Sequence, residues 1–324
     1  MVVTSCRYLL ASLLVSSATA LCTLPAMRSS SPVFAAPAPR CLRQTSQTIH
    51  MSAAAAMPSH ELSAPSTSKL GRILTGSRFL FAAIFSVVSL YPPLLCSVAY
   101  GYLSDNSRRR ACDWIVQIWA RATLFMLGSS VTVEGLENLP APEETVLYVP
   151  NHSSFLDIFA LSGYLPRRFK YISKIEILRI PLIGWAMRFA RHIAIRRTDR
   201  ASQLATFKEA VACLQEGSSL VAFPEGTRSR DGRLMGFKKG PFTMAARAKV
   251  RVVPLSIIGT HLFQPPGAFV PIASPRGVRI VVHPALDAPA NKQEAVTLEA
   301  ARVAVLSALP NSMQPLEGDI ARRA

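Results

Sequence analysis

The chain has 324 residues, half of them hydrophobic, with 36 Lys+Arg against 19 Asp+Glu and a formal net charge of +17. That length holds one domain of roughly 200 residues with extensions, or two small ones. The hydrophobic content excludes a wholly disordered chain, and no self-similar period of about 20–50 residues marks a repeat array.

So strong a positive charge has two main readings, nucleic acid or anionic lipid. A positive mean hydropathy with only 17% charged residues argues against nucleic acid. So does the lack of zinc-finger spacing, of an aromatic-basic RNA-binding signature and of a basic leucine-zipper heptad. A partner with an anionic membrane surface or a phosphorylated substrate fits better. Cys6, Cys22, Cys41, Cys96, Cys112 and Cys213 form no CxxC pair and have no His at ligand spacing, so neither a disulfide framework nor a metal site is expected.

In chain order, residues 1–60 carry Arg7, Arg28, Arg40 and Arg43 and no acid. Arg7, the apolar run Tyr8–Val15 and the small residues up to Ala20 have the layout of a secretory signal peptide. The Ser-, Ala- and Pro-rich stretch to about Ser68 resembles a transit peptide behind it, a bipartite plastid import signal; a signal peptide with a plain linker is the alternative. Residues 1–68 are thus expected to be a targeting region. Residues 69–128 are expected to be membrane-associating helices, and residues 129–324 the catalytic domain.

Phe79–Leu103 has no charge and is flanked by Arg72 and Arg78 before it and Arg108, Arg109 and Arg110 after it. Its length suffices for a transmembrane helix of about 20 residues, so only one or two such segments exist and a polytopic protein is disfavoured. Pro92 and Pro93 sit in its middle, where proline removes a helical hydrogen bond and clashes with the preceding turn. A broken, re-entrant or interfacial segment and a straight span both remain open. Trp114, Ile115, Ile118, Trp119 and Phe125 then lie among arginines, which suits a second membrane-embedded helix or an ordinary core helix.

From Val131 the pattern alternates short strands with helices. Strands are expected at Ser130–Glu134, Thr145–Val149, Phe169–Ser173, His192–Arg197, Leu220–Phe223, Val252–Ile258 and Val278–His283. Helices are expected from His152, over Ser202–Leu214 with Gly217 as its stop, over Pro241–Lys249, and in the tail from Ala290. This is an α/β fold, a mixed and mostly parallel sheet flanked by helices.

Two strand ends carry chemistry. His152 directly follows the second strand, where open α/β sheets hold their ligands, and is a suitable general base if a carboxylate orients it. Asp157 stands five residues on, about 140° away on an ideal helix. The two meet only if His152 lies in the loop or first turn and Asp157 reaches back. Asn151 and Ser153 are candidate caps of that helix. Taken alone, the pattern is equally consistent with a capped helix bearing a surface histidine. After Leu220–Phe223 come Pro224, Glu225, Gly226, Thr227, Arg228 and Ser229, a turn that combines a carboxylate, a flexible glycine, a hydroxyl and a phosphate-matching guanidinium. Lys174, Arg196, Arg197, Lys238 and Lys239 lie at other strand ends and could converge as a positive pocket.

Asn151-His152 with Asp157 resembles the NHxxxxD block of the glycerolipid acyltransferases. Lys174, Pro181–Trp185 and His192–Arg197 resemble their second block, Phe223–Ser229 their third and Val252–Leu255 their fourth. All four occur in family order over about Leu127–Pro284, and Pro181–Met187 and Gly217–Gly240 are similar to the plastid-type members. The resemblance implies a glycerolipid acyltransferase fold and acyl transfer to the sn-2 hydroxyl of lysophosphatidic acid. The co-substrate would be acyl-CoA or an acyl carrier protein, with no further cofactor. It makes His152 the base, Asp157 its orienting partner, and Lys174 and Arg228, with Arg196, the phosphate ligands. Glu225, Gly226 and Thr227 would shape the acceptor pocket. It also implies a membrane location, plastid first and endoplasmic reticulum as the alternative. Glycerol 3-phosphate or another lysophospholipid as acceptor, and a non-catalytic lipid-binding protein, are the competing functions. The resemblance departs at Arg191, where the second block often has Gly, a change that bears on turn geometry rather than chemistry.

Overall fold

The computed structural model describes residues 67–104, 109–195, 200–290 and 292–316. The expected targeting region up to residue 66, together with Arg196 and Arg197, lies outside the described residues.

The first helix, α1, runs from Lys69 to Ser104 without interruption, with Pro92 and Pro93 inside it. Its Lys69–Gly101 stretch is long and apolar enough to cross a membrane, and Leu74, Phe81, Ile84, Phe85, Val88 and Leu95 are exposed on its surface. The two prolines do not break it. Neighbouring elements hold a helix together across such a site, and α2 (Arg110–Met126) returns along both halves of α1. Thr123 Oγ1 lies 2.9 Å from Ser86 Oγ before the prolines. Leu94 and Val98 cluster with Cys112 and Ile115 after them. Arg78 closes the hairpin's other end by donating Nε to the carbonyl of Met126 at 2.8 Å. Ile115 and Leu124 of α2 are core residues, while Trp114 and Phe125 are exposed.

The strands follow as β1 (Val131–Glu134), β2 (Val146–Pro150), β3 (Lys170–Lys174), β4 (Ile193–Ile195), β5 (Leu220–Val221), β6 (Arg251–Ile258) and β7 (Val278–Val282). Between them lie α3 (Leu156–Tyr164), α4 (Ile183–Phe189), α5 (Arg200–Gln215), α6 (Gly240–Ala248) and the single turn α7 (Thr260–Phe263), and α8 (Glu294–Ala308) closes the fold. One sheet takes all seven described strands in the order β1-β7-β6-β2-β5-β3-β4. Every neighbouring pair is parallel except β6 with β7, which is antiparallel. Each expected strand is present, and the sheet is mixed and mostly parallel.

Period-two side chains explain the layers. Val146 and Tyr148 of β2 face a core shared with Leu156 and Phe159 of α3, Leu124 of α2 and Phe79 of α1. Leu147 and Val149 face the opposite core, with Ala210 and Leu214 of α5, Phe242 of α6 and Ala301 of α8. A strand buried on both faces has no polar side to alternate, so β2 reads as an apolar run.

Two local findings refine the expectations. The helix expected from His152 begins four residues later, because the N–H groups of Ser153 and Ser154 are taken by the Asp157 carboxylate. Arg191 has φ of 54° at the end of α4, and the N–H of the next residue, His192, donates back to the Met187 carbonyl at 2.9 Å. That is the left-handed helix stop that glycine favours. The turn keeps its geometry with an arginine in it.

Candidate active site

Parallel pairing of β2 with β5, and of β5 with β3, puts the carboxyl ends of all three strands on one edge of the sheet. His152 follows β2, the turn from Phe223 to Arg228 follows β5 and Lys174 ends β3. His152, Lys174, Phe223, Pro224, Gly226, Thr227 and Arg228 line one cavity of about 740 Å³, together with Phe155, Ile158, Ile177, Phe207 and Met244.

Asp157 is fully buried and is the centre of the hydrogen bonding. Its Oδ2 accepts His152 Nδ1 at 2.8 Å and the N–H groups of Ser153 at 2.8 Å and Ser154 at 2.9 Å. Its Oδ1 accepts the hydroxyl of Thr260 in a very short contact. A carboxylate so supplied with donors keeps the proton of His152 on Nδ1 and leaves Nε2 as the acceptor nitrogen. The imidazole ring stacks on Phe223, centroids 3.8 Å apart and planes 21° apart. The i,i+5 pair therefore meets as the spacing required, with His152 in the loop and Asp157 in the first turn of α3.

Two expected roles change. Asn151 caps nothing: its Nδ2 donates to the Ile257 carbonyl at 2.9 Å and its Oδ1 accepts the Ile257 N–H at 2.7 Å, which ties the end of β2 to β6. Ser153 contacts the Thr260 hydroxyl at 3.3 Å and is no cap either. Glu225 stands behind the cavity wall, not on it. Its Oε1 accepts the His152 N–H at 2.6 Å and its Oε2 the Met235 N–H at 3.0 Å. Burial pushes its carboxyl up to about 8, against the two backbone donors that favour the charged form.

Of the residues singled out in the sequence, His152, Lys174, Gly226, Thr227, Arg228 and Lys238 share the cavity. Asp157 and Glu225 brace them from behind, and Arg196 lies outside the described residues. The sequence does not mark Thr260 beyond its place two residues after a strand. The motifs contain Phe223 and Asn151 but do not reveal these contacts. A buried pair was also missed: Lys170 Nζ is 3.0 Å from both carboxylate oxygens of Asp113 and donates to the Ala190 carbonyl at 2.7 Å. It joins β3 to α2 and α4.

A His–Asp pair at the carboxyl edge of a mostly parallel sheet, beside a turn bearing Glu, Gly, Thr and Arg, is the arrangement of an acyltransferase. Residues 130–258 match the family model described as Acyltransferase. A Chlamydomonas reinhardtii protein named 1-acyl-sn-glycerol-3-phosphate acyltransferase is 38% identical over 289 residues, 89% of this chain and 86% of that protein. A chloroplastic protein of the same name from Arabidopsis thaliana is 40% identical over 66% of this chain, which spans 60% of that relative's length. The crystal structure of the 1-acyl-sn-glycerophosphate (LPA) acyltransferase PlsC from Thermotoga maritima superposes with a TM-score of 0.63 at 28% identity. That match covers 73% of this chain and 94% of the other. The chain belongs to the 1-acyl-sn-glycerol-3-phosphate acyltransferase family.

Proposed function

We propose that this enzyme transfers an acyl group from an acyl thioester, acyl-CoA or acyl carrier protein, to the sn-2 hydroxyl of 1-acyl-sn-glycerol 3-phosphate, giving phosphatidic acid. The observation that carries the reading is the His152–Asp157 pair at 2.8 Å on a cavity that also holds Lys174 and Arg228. Nε2 of His152 takes the hydroxyl proton as the oxygen attacks the thioester carbonyl, and Asp157 holds the imidazolium that forms. The tetrahedral intermediate collapses, the C–S bond breaks, and the thiolate leaves with the proton returned by His152. No acyl-enzyme is needed, because the acceptor oxygen is itself the nucleophile. Lys174 and Arg228 bind the acceptor phosphate, with Arg196 as a third contributor.

The reaction belongs at a membrane, and the apolar surface of α1 supports that placement. The 3-10 turn Ile177–Arg179, next to α4 and through it to α1, borders the cavity at Ile177, and the loop that contains Pro266 continues to Val270 beside Gly76 of α1. Basic residues near an anionic bilayer add about 1 kcal/mol each. The chloroplastic relatives support a plastid membrane, with residues 1–68 as the import region, residues 69–128 as the membrane-associating helices and residues 129–324 as the catalytic domain.

The test is thiol release by the purified chain in detergent with an acyl thioester and either 1-acyl-sn-glycerol 3-phosphate or glycerol 3-phosphate, beside His152→Ala. Release with the first acceptor, lost in the variant, is expected. Release with glycerol 3-phosphate alone would reassign the acceptor, and release that persists in the variant would remove His152 from the mechanism. Deleting residues 1–68 should abolish plastid import of a fluorescent fusion and spare activity.

A further inference from the structure

Lys238 and Lys239 are adjacent in sequence, and the fold separates them. The ammonium of Lys239 is 3.4 Å from the Glu294 carboxylate on α8. Lys238 lies on the wall of the active-site cavity, with His152, Lys174 and Arg228, and makes no ion pair among the described residues. Its N–H donates to the Pro224 carbonyl at 2.9 Å, which fixes its backbone against the turn that follows β5. Its ammonium rests on Gly226, where a Cβ would lie 2.7 Å from Nζ. Gly226 also has φ of 76°, so glycine meets two demands there: a left-handed backbone and room for a lysine head group.

The same turn offers more to an anion. The N–H groups of Thr227 and Arg228, which follow Gly226, take no protein acceptor among the described residues, and successive unpaired N–H groups after a left-handed residue form an anion-binding concavity. We infer that Lys238 is a further ligand of the acceptor phosphate, so that the phosphate is held by Lys174, Arg228 and Lys238 at the Gly226 turn. This rests on the acceptor assigned under the proposed function.

The chemistry of the two substrates favours the acceptor over the donor. In 1-acyl-sn-glycerol 3-phosphate the phosphate is attached to the carbon next to the one that bears the reacting hydroxyl. It must therefore lie beside His152, whose ring stacks on Phe223, three residues before Gly226. The phosphates of a coenzyme A or phosphopantetheine donor are separated from the thioester by the whole pantetheine arm. A phosphate monoester carries close to two negative charges near neutral pH, and cations around it gain by charge-assisted hydrogen bonds.

The experiment compares full-length wild-type chain with Lys238→Met, Lys238→Arg and Lys239→Met in detergent, at varied acceptor and varied donor, with melting temperatures to show that each variant is folded. Loss of one charged hydrogen-bond partner is worth about tenfold to a hundredfold in binding. Lys238→Met should raise KM for 1-acyl-sn-glycerol 3-phosphate by that factor and leave KM for the thioester unchanged. Lys238→Arg should restore most of the loss, and Lys239→Met should match wild type. A rise in the donor KM instead, an unchanged acceptor KM, or a fall in kcat alone that arginine does not rescue would each overturn the inference while the acyl transfer stands. A wild-type chain inactive on this acceptor would instead bring down the functional reading, and this assignment with it.

Discussion

Glu225 and His152 are joined through backbone rather than side chain: the Glu225 carboxylate accepts the His152 N–H at 2.6 Å while its other oxygen accepts the N–H of Met235. One buried carboxylate thus sets the chain direction at the base and closes the loop that carries Arg228. In Glu225→Gln one acceptor oxygen becomes an NH2 facing a backbone donor. We expect kcat to fall about tenfold to a hundredfold, as for a base displaced by a fraction of an ångström, with KM for the acceptor within about twofold of wild type. A large rise in that KM with kcat intact would show Glu225 binding substrate directly.

Asp157 accepts from His152, Ser153, Ser154 and Thr260 and donates to none of them. Asp157→Asn puts a donor among donors and removes the charge that holds the imidazolium. Thiol release should drop roughly 10²- to 10⁴-fold in kcat. Circular dichroism should stay native, and a rate within threefold of wild type would exclude the orienting role.

Much of this framework is legible from residues alone, for a physical reason. Strands buried on both faces must be apolar throughout, so β2 and β6 stand out, and parallel strands carry their ligands at one end, which picks out His152 and the Glu225–Arg228 turn. What stayed hidden depends on partners remote in the chain. Thr260 reaches Asp157 across more than a hundred residues, Ile257 answers Asn151 across a similar gap, and Glu225 reads as a pocket residue until its two backbone partners are seen. The unbroken α1 was not legible either, since the effect of Pro92 and Pro93 depends on the packing of α2 along both halves.

Lys170 and Asp113 are both buried. Removing one charge leaves the other without compensation, which costs about 3–5 kcal/mol, whereas replacing both with apolar residues of similar size is close to neutral. Asp113→Ala should therefore lower the melting temperature far more than Lys170→Met/Asp113→Leu does. Equal losses in the single and double variants would contradict the account.

Acid sensitivity is expected from two buried histidines. Burial, aided by nearby Lys170, lowers His192 from 6.5 to about 3, and the Tyr171 N–H donates to its Nδ1 at 2.8 Å. Burial lowers His283 to about 4. Their folded-state values lie below the unfolded one, so their contribution is fully present above about pH 6.5 and is lost as pH falls toward 3–4, by at most about 1.4 kcal/mol per unit per histidine. Glu225, raised to about 8 by burial, works in the opposite direction over this range, so the histidine contribution is read as a difference in denaturant midpoints. Between pH 7.5 and 5 His192→Asn, which keeps an acceptor for Tyr171, should lose less stability than wild type. An unchanged slope in that variant would refute the assignment.

Arg191 holds a left-handed backbone, which costs a non-glycine residue about 1 kcal/mol or more, and glycine gives part of that back in unfolded-chain entropy. Arg191→Gly should stabilise the protein by about 0.5–1 kcal/mol in equilibrium unfolding. A loss of stability would mean that the arginine side chain contributes more than its backbone strain costs.

The Asn151 amide presents one donor and one acceptor to a single peptide unit, the N–H and C=O of Ile257. Pro150 and Leu255 are the last backbone pair of β2 with β6, and the Ser153 N–H that would carry the next rung turns away to Asp157. The side chain supplies that rung, extending the sheet by a step made from an amide that is not in the main chain. Aspartate would set oxygen against oxygen there, and leucine would leave both backbone groups dry and unmatched. The demand at position 151 is for a peptide mimic, and the residue that follows it, His152, inherits the stiffness of a sheet while sitting on what looks like a loop.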